Sequence, residues 1–183
     1  MKGTDPMNTH VGSGSASQNT VHTLVVNGLS IALVFSATMF INIRLPFAPN
    51  GGLIHLGNLP LFIFAVLYGR KTGFVAGAFG MGLFDLISGW TLWAPFTFVI
   101  CGLIGYAVGF VAEHNRENKL SLLLASLILA LIIKIAGYYA AEGLLYGNWI
   151  VPATSIPGNV LQIVAAAVPA VPLAYKLKHI IRR

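Results

Sequence analysis

Six apolar stretches alternate along the chain with polar or glycine- and proline-rich segments. A helix needs about 20 mostly apolar residues to cross a hydrocarbon core about 30 Å thick, and residues 24–43 contain no charge. Four more stretches of spanning length follow at 72–89, 91–112, 120–146 and 152–177. Residues 59–68 form only about 15 Å of helix, so either residues from Leu53 onward extend them or the loop 44–58 dips into the protein. The pattern predicts an all-α, polytopic membrane protein with six transmembrane helices.

Composition supports this class. Of the 183 residues, 56% are hydrophobic and 9% are charged, whereas about 25% of the residues in a soluble domain are charged. Residues 1–21 are polar and rich in Gly, Ser, Thr and Asn. We predict that they form a disordered tail, with Met7 as an alternative native start, followed by one membrane domain over residues 22–183. The single cysteine, Cys101, excludes a disulfide framework and a multi-cysteine metal site, and we predict no metal.

Basic residues divide unevenly between the two sides of the predicted membrane. Alternate loops place Arg44 on one side and eight Lys and Arg residues on the other. These eight are Arg70, Lys71, Arg116, Lys119, Lys176, Lys178, Arg182 and Arg183. By the positive-inside rule, both termini are predicted to be cytoplasmic and the helix count to be even. The basic residues form no patch interleaved with aromatic residues, so we expect no nucleic-acid partner.

The chain lacks the common catalytic motifs, among them GxSxG, HExxH and the P-loop. We therefore predict that it is not an enzyme, and that any transport role needs a gradient or an energised partner. Its chemistry lies in polar groups inside the predicted spans, which are costly in a bilayer. These groups are Asp85, Lys134, Glu142, Asn159 and Gln162. Counted at 1.5 Å per residue, they all fall in the outer half of the membrane, which predicts a pocket for an external solute.

Helical spacing groups these side chains further. Lys134, Tyr138 and Glu142 are four residues apart and share one helix face, as do Asn159 and Gln162 at a spacing of three. Two alternatives stay open: Asp85 and Lys134 could form a structural ion pair, and Glu142 could be interfacial and solvated.

Aromatic and small residues give two further patterns. Trp90, Trp93 and Trp149 fall near the outer helix ends, where they would form either an aromatic belt or a wall for the ligand. Gly28, Ala32 and Ser36 repeat every four residues on the first helix, which lets another helix approach closely. Two glycine sets, at 69–77 and 105–109, repeat the spacing, and we expect them to serve internal packing.

The segment 49–90 contains a GG-x-x-HLGN-x-P loop, a short apolar helix, G-R-x-x-G-x-x-A-G, and an Asp before a GW turn. It resembles the substrate-specific S components of energy-coupling factor (ECF) vitamin transporters of bacteria and archaea. Length, helix count and the small-residue pattern of the first helix extend the resemblance to nearly all of residues 22–183.

The resemblance implies a prokaryotic cell-membrane protein that binds a vitamin from outside. It would dock on a transmembrane coupling subunit attached to two ATPase subunits, which use the ATP, so no cofactor is expected in this chain. Gly28, Ala32 and Ser36 would contact the coupling subunit, and His55 and Asn58 would close or line the pocket. The pocket itself would be formed by Trp90, Trp93, Lys134, Tyr138, Asn159 and Gln162, with Asp85 and Glu142 as further candidates. The expected ligand resembles hydroxymethylpyrimidine, a thiamine precursor, or pyridoxine.

Two other functions remain as alternatives. A stand-alone proton-coupled transporter of small solutes would use Asp85, Lys134 and Glu142 as a proton relay. A membrane-embedded enzyme or assembly factor is disfavoured by the missing catalytic motif.

Overall fold

The computed structural model describes residues 12–44 and 53–181, and its main elements are five long helices. In chain order they are α1 (Gly12–Phe40), α2 (Asn58–Ile87), α3 (Ala94–His114), α4 (Leu120–Tyr146) and α5 (Ile156–Ile181). Two antiparallel three-residue strands, β1 (Asn42–Arg44) and β2 (Leu53–His55), follow α1, and a 3-10 helix (Val151–Ser155) precedes α5. All five helices contain a segment long and apolar enough to cross a membrane. The chain is therefore an all-helical membrane protein.

Helix α2 is a hairpin of two arms that fold back at Gly69. Gly69 has φ 85° and ψ −173°, a conformation outside the helical region that glycine adopts without steric cost. A methyl group placed on Gly73 would lie 2.9 Å from the Ala65 Cβ, and one on Gly57 would lie 3.2 Å from the Met81 Cε. Residues eight apart in a straight helix are separated by about 12 Å, so these contacts require antiparallel arms, 58–68 and 70–87. The predicted stretches 59–68 and 72–89 are these two arms.

Glycines bring the second arm of α2 into backbone contact with α3. A methyl group on Gly73 would clash with the carbonyl oxygen of Gly105, and one on Gly77 with that of Cys101. A methyl group on Gly109 would lie 2.5 Å from the Arg70 backbone nitrogen. The glycine sets thus serve internal packing, as expected.

Helix α1 packs on α2 through one face and leaves the other exposed. Val26, Ser30, Val34 and Thr38, spaced by four residues, are buried. On the opposite side Gly28 and Ala32 are exposed, and Ser36 is half-buried.

The ends of α1 differ from the sequence prediction. The helix begins at Gly12 and so includes residues 12–21, part of the predicted tail; residues 1–11 lie outside the described residues. Extending a formed helix outward costs no new nucleation, which explains the longer helix. It ends at Phe40 rather than at residue 43 because β1 pairs with β2 and the Asn42 amide donates to the Thr38 and Met39 carbonyls.

Side-chain contacts define one end of the bundle, which we call the basic end. There Arg70 pairs with Glu113, with 3.4 Å between Nε and Oε2. The buried Lys178 ammonium donates to the Ala112 carbonyl at 2.6 Å, and the His22 ring contacts Tyr68. The amino-terminal part of α1 and the carboxyl-terminal part of α5 therefore meet at the same end. The strands and the segments 88–93 and 147–155 lie at the opposite end, called here the site end.

Helices α2, α3, α4 and α5 form a ring. Helix α2 contacts α3 and α5, and α4 contacts the same two helices. The apolar interior includes the buried Leu61, Phe62, Ile104 and Val108. The predicted site residues Asn58, Lys134, Glu142 and Gln162 are also buried, toward the site end.

Candidate functional site

A layer of contacts across three helices fixes the depth of the site. Gly57 packs against Met81, and Gly77 against Cys101 on the antiparallel α3. One turn beyond Cys101, the Thr97 hydroxyl lies 3.2 Å from the Tyr138 hydroxyl of α4. The Cys101 sulfur lies 3.6 Å from the same hydroxyl. The start of α2 therefore lies level with the first turns of α3 and with the Tyr138 hydroxyl.

Lys134 is a buried ammonium inside this layer. The residue is 1% exposed, and its Nζ lies 5.2 Å from the centroid of the Tyr138 ring. Its charge acts on His55 and Asp85. Asp85 and Lys134 do not form an ion pair within 4.0 Å, in contrast to Arg70–Glu113 and Lys119–Glu117. The sequence alternative of a direct Asp85–Lys134 ion pair is therefore wrong: the two charges interact only at longer range, and the Lys134 ammonium lies beside the Tyr138 ring.

Two tryptophans of the predicted wall lie in the segment before α3. The Trp90 backbone N–H donates to the Asp85 carbonyl at 2.9 Å, and the Trp93 N–H donates to the Trp90 carbonyl at 2.8 Å. This turn directs the Trp93 ring to 6.4 Å from Tyr138 and 6.1 Å from Tyr146. Trp90 is half-buried.

Trp149 does not lie with Trp90 and Trp93 near the start of α3. Its ring covers Gly143 and lies 6.2 Å from Tyr139, whose hydroxyl donates to the Trp149 carbonyl. The residue is 55% exposed, which fits the aromatic-belt interpretation rather than a ligand wall.

His55 closes the site from the strand side. The Gly57 N–H donates to His55 Nδ1 at 3.2 Å, so the neutral ring carries its proton on Nε2. Burial, and secondly the positive charge of Lys134, lower the pKa of His55 to about 3. His55 therefore stays neutral at physiological pH and offers an N–H donor.

Two buried amides flank His55. Asn58 begins α2 and is 0% exposed, and Gln162 of α5 is 7% exposed. The Gln162 Nε2 donates to the Leu53 carbonyl of β2, which fastens α5 to this strand. Among the residues that the structure describes, neither amide atom of Asn58 has a hydrogen-bond partner, and nor has Gln162 Oε1. Asn159, one turn before Gln162, is half-buried.

Glu142 is buried rather than solvated. It is 4% exposed, and its Oε2 accepts a 2.7 Å hydrogen bond from the Ser155 hydroxyl. The sequence alternative of an interfacial, solvated Glu142 is wrong because the 3-10 helix folds over this carboxylate. In the structure Glu142 fastens this segment to α4.

Met81, Thr97 and Ser155 were not predicted from the sequence, and Cys101 was predicted only as a small buried residue. Thr97 and Cys101 are four residues apart on α3, a spacing that could have indicated a polar contact. Within residues 12–44 and 53–181, no three His, Cys, Asp or Glu side chains group closely enough to hold a metal ion. What the site offers is an aromatic wall, a buried ammonium, a neutral histidine donor and partly unpaired amides.

Comparison with known proteins gives consistent relationships. The family model described as the S component of an ECF-type riboflavin transporter matches residues 18–179. An uncharacterised protein of Pyrococcus woesei is 34% identical over 105 residues, 57% of this chain and 69% of that protein. The thiamine precursor transporter HmpT of Lactococcus lactis subsp. cremoris is 26% identical over 149 residues, 79% of this chain and 84% of that protein.

A solved structure of the S component of a bacterial ECF transporter has the same fold. It superposes with a TM-score of 0.67 at 20% identity and covers 91% of this chain and 99% of its own.

Proposed function

The chain belongs to the family of ECF-type riboflavin transporter S components, and from that premise we propose that its own ligand is a small, flat, nitrogen-containing aromatic compound. As an S component it is the substrate-binding subunit of an ECF vitamin importer. The proposed ligand is of the hydroxymethylpyrimidine or pyridoxine type, which the similarity to HmpT supports. The observation that carries the proposal is that Trp93, Tyr138 and Lys134 lie at the same depth of the bundle as Asn58 and the segment 53–58, to which Gln162 bonds.

The chemistry of this layer suits a flat heterocycle. Trp93 and Tyr138, 6.4 Å apart, offer faces on which an aromatic ring can stack. Lys134, Asn159 and Gln162 offer donors and acceptors for its polar edge, and mostly apolar walls with few polar groups are typical of small-molecule sites. Asp85, whose side chain bonds Thr97, and Trp90 are half-buried next to this layer, and Glu142 of α4 holds the 3-10 helix over it.

The proposed orientation places the site end outside the cell. Both described chain ends meet at the basic end, together with Arg70 and the loop 115–119. The positive-inside rule assigns that end to the cytoplasm. The membrane domain then has six helical segments, five long and one short, with cytoplasmic termini.

The exposed face of α1 is proposed to dock on the transmembrane coupling subunit, which is attached to two ATPases. A methyl group on Gly28 would meet nothing within 4 Å, and Ala32 is exposed, so another helix can approach closely there. Ala32→Trp should prevent assembly with the coupling module and leave ligand binding intact. Ile128→Trp, on an exposed face of α4, is the matched control. Normal assembly of Ala32→Trp would rule out this face.

Ligand titration of the purified chain by calorimetry tests the site. Hydroxymethylpyrimidine, pyridoxine and riboflavin are compared on the wild type, Trp93→Ala and Trp149→Ala. Loss of stacking and apolar contact at Trp93 should weaken binding by about tenfold or more, since an aromatic pair contributes about 0.5–1.5 kcal/mol beyond area burial. Trp149→Ala should bind like the wild type because that ring packs on Gly143, away from Tyr138. Equal effects of the two substitutions would place the site elsewhere.

A further inference from the structure

Asn58 is a fully buried amide whose hydrogen-bonding capacity is unused. It is 0% exposed, and neither Oδ1 nor Nδ2 has a partner among the residues that the structure describes. Buried polar atoms in folded proteins are nearly always paired, because an unpaired one has lost its bonds to water without replacement. A leucine of similar size would avoid that loss.

The polar groups beside Gly57, the residue before Asn58, already bond the backbone. The space next to Gly57 is bounded by Thr38 Oγ1, His55 Nδ1 and Met81 Cε. The Thr38 hydroxyl donates to the Val34 carbonyl at 2.8 Å, and His55 Nδ1 accepts from the Gly57 N–H. Neither group bonds the Asn58 amide, and nor does any other described residue, so its partner is expected from outside the described residues.

The position of Asn58 connects it with the rest of the site. The segment 53–58 ends in Asn58, and at its other end the Leu53 carbonyl accepts from Gln162, whose Oε1 is also unpaired. Between them lies His55, on which the charge of Lys134 acts. The contact between Gly57 and Met81 places Asn58 at the depth of the Tyr138 hydroxyl. The two partly unpaired amides therefore belong to the layer that holds Lys134 and the aromatic wall.

Resting on the proposed function, we propose that Asn58 determines ligand specificity by pairing with a donor and an acceptor on neighbouring atoms of the ligand. A planar amide forms two parallel hydrogen bonds with such an edge, as Asn does with adenine. An aminopyrimidine has this edge, with an amino group beside a ring nitrogen, and so does the imide of an oxidised flavin. Pyridoxine has no N–H beside a ring acceptor. The ligand is thus an amino- or oxo-substituted nitrogen heterocycle, and segment 53–58 must move for its edge to reach the amide.

The test combines two readouts on Asn58→Leu. Removing an unpaired amide should raise the melting temperature of the ligand-free protein in detergent by about 2–4 °C. The same substitution should weaken binding of hydroxymethylpyrimidine by more than tenfold in calorimetric titration. Asn58→Asp, which replaces the donor by a second acceptor, should also weaken binding. Asn159→Leu is the control, because that half-buried residue should give no comparable stability gain.

Other outcomes would overturn the proposal. A less stable or unfolded Asn58→Leu protein would mean that the amide is paired within the chain. Unchanged hydroxymethylpyrimidine affinity in Asn58→Leu would remove Asn58 from recognition and leave the proposed function standing. If the wild type bound pyridoxine more tightly than hydroxymethylpyrimidine, the proposed pair of hydrogen bonds between Asn58 and the ligand would be contradicted. A wild-type chain that binds none of hydroxymethylpyrimidine, pyridoxine and riboflavin would overturn the proposed function itself, and this inference with it.

Discussion

Gly109→Ala should weaken the packing that holds the α2 hairpin in place. The added methyl group would lie 2.5 Å from the backbone nitrogen of Arg70 and 2.5 Å from the carbonyl carbon of Gly69. Arg70 has little freedom to yield, since its N–H donates to Glu113 Oε1 at 2.8 Å. Its guanidinium also lies over the Phe110 ring, 5.5 Å from the centroid. The strain therefore falls on backbone atoms of both helices.

The size of the effect follows from these distances. Carbon atoms in favourable contact are about 3.5–4.0 Å apart, so α2 and α3 must separate locally by about 1 Å. Overpacking of this kind costs about 1–3 kcal/mol, and replacing a helical glycine by alanine returns about 0.5–1 kcal/mol. We expect a net loss of about 1–2 kcal/mol, which raises the unfolded fraction about 5- to 30-fold.

Equilibrium unfolding in mixed detergent micelles, followed by circular dichroism, measures this loss. Gly28→Ala in α1 is the matched control, because its methyl group would meet nothing within 4 Å and should stabilise the helix by about 0.5–1 kcal/mol. If Gly109→Ala were as stable as Gly28→Ala, the close contact between α2 and α3 would be refuted. The packing of α2 on α3, from which the depth of Asn58 was inferred, would then be in doubt as well.

Three further predictions concern charge and orientation. His55 has a pKa of about 3 in the folded chain, against an ordinary value of 6.5, so the unfolded chain takes up the proton first. The free energy of unfolding should be highest above pH 6.5 and should decrease toward pH 3. At pH 5.5 the decrease should be about 1.4 kcal/mol. His55→Asn, which still accepts from Gly57, should remove this loss, and an unchanged pH profile would contradict it. Lys134→Met should weaken ligand binding about tenfold by calorimetry, and unchanged affinity would remove the ammonium from the site. Glu117→Cys should resist an impermeant thiol reagent in intact cells and react after permeabilisation, whereas labelling from outside would invert the proposed topology.

The sequence predicted the helices well where apolar length alone decides the structure. The break between the arms of α2 was visible as a glycine followed by Arg70 and Lys71. The strands β1 and β2 were not, because three-residue strands are too short to show an alternating pattern. The start of α1 was also missed, since the polar composition of residues 12–21 does not prevent helix growth outward from an apolar span.

The candidate site was predictable where polar groups interrupt apolar helices. Lys134, Tyr138 and Gln162 stand out in this way, and the structure places all three inside the ring of helices. The partner of Glu142 did not stand out, because Ser155 lies 13 residues away across a loop. Thr97 did not stand out either, because the sequence does not show whether a threonine hydroxyl bonds a distant tyrosine or a carbonyl of its own helix. Asn58 was predicted only through the family resemblance. That its amide is unpaired could be seen only in the structure.

The central claim is that this chain captures a vitamin precursor but depends on an ATPase module to deliver it. Uptake of radiolabelled hydroxymethylpyrimidine into proteoliposomes tests it most directly, with the chain alone under a proton gradient and with the coupling module and ATP. We expect the lone chain to retain ligand bound to protein and to accumulate none in the lumen. The complete complex should accumulate the ligand only with ATP. Accumulation by the lone chain, driven by the proton gradient, would contradict the account and favour a stand-alone proton-coupled transporter.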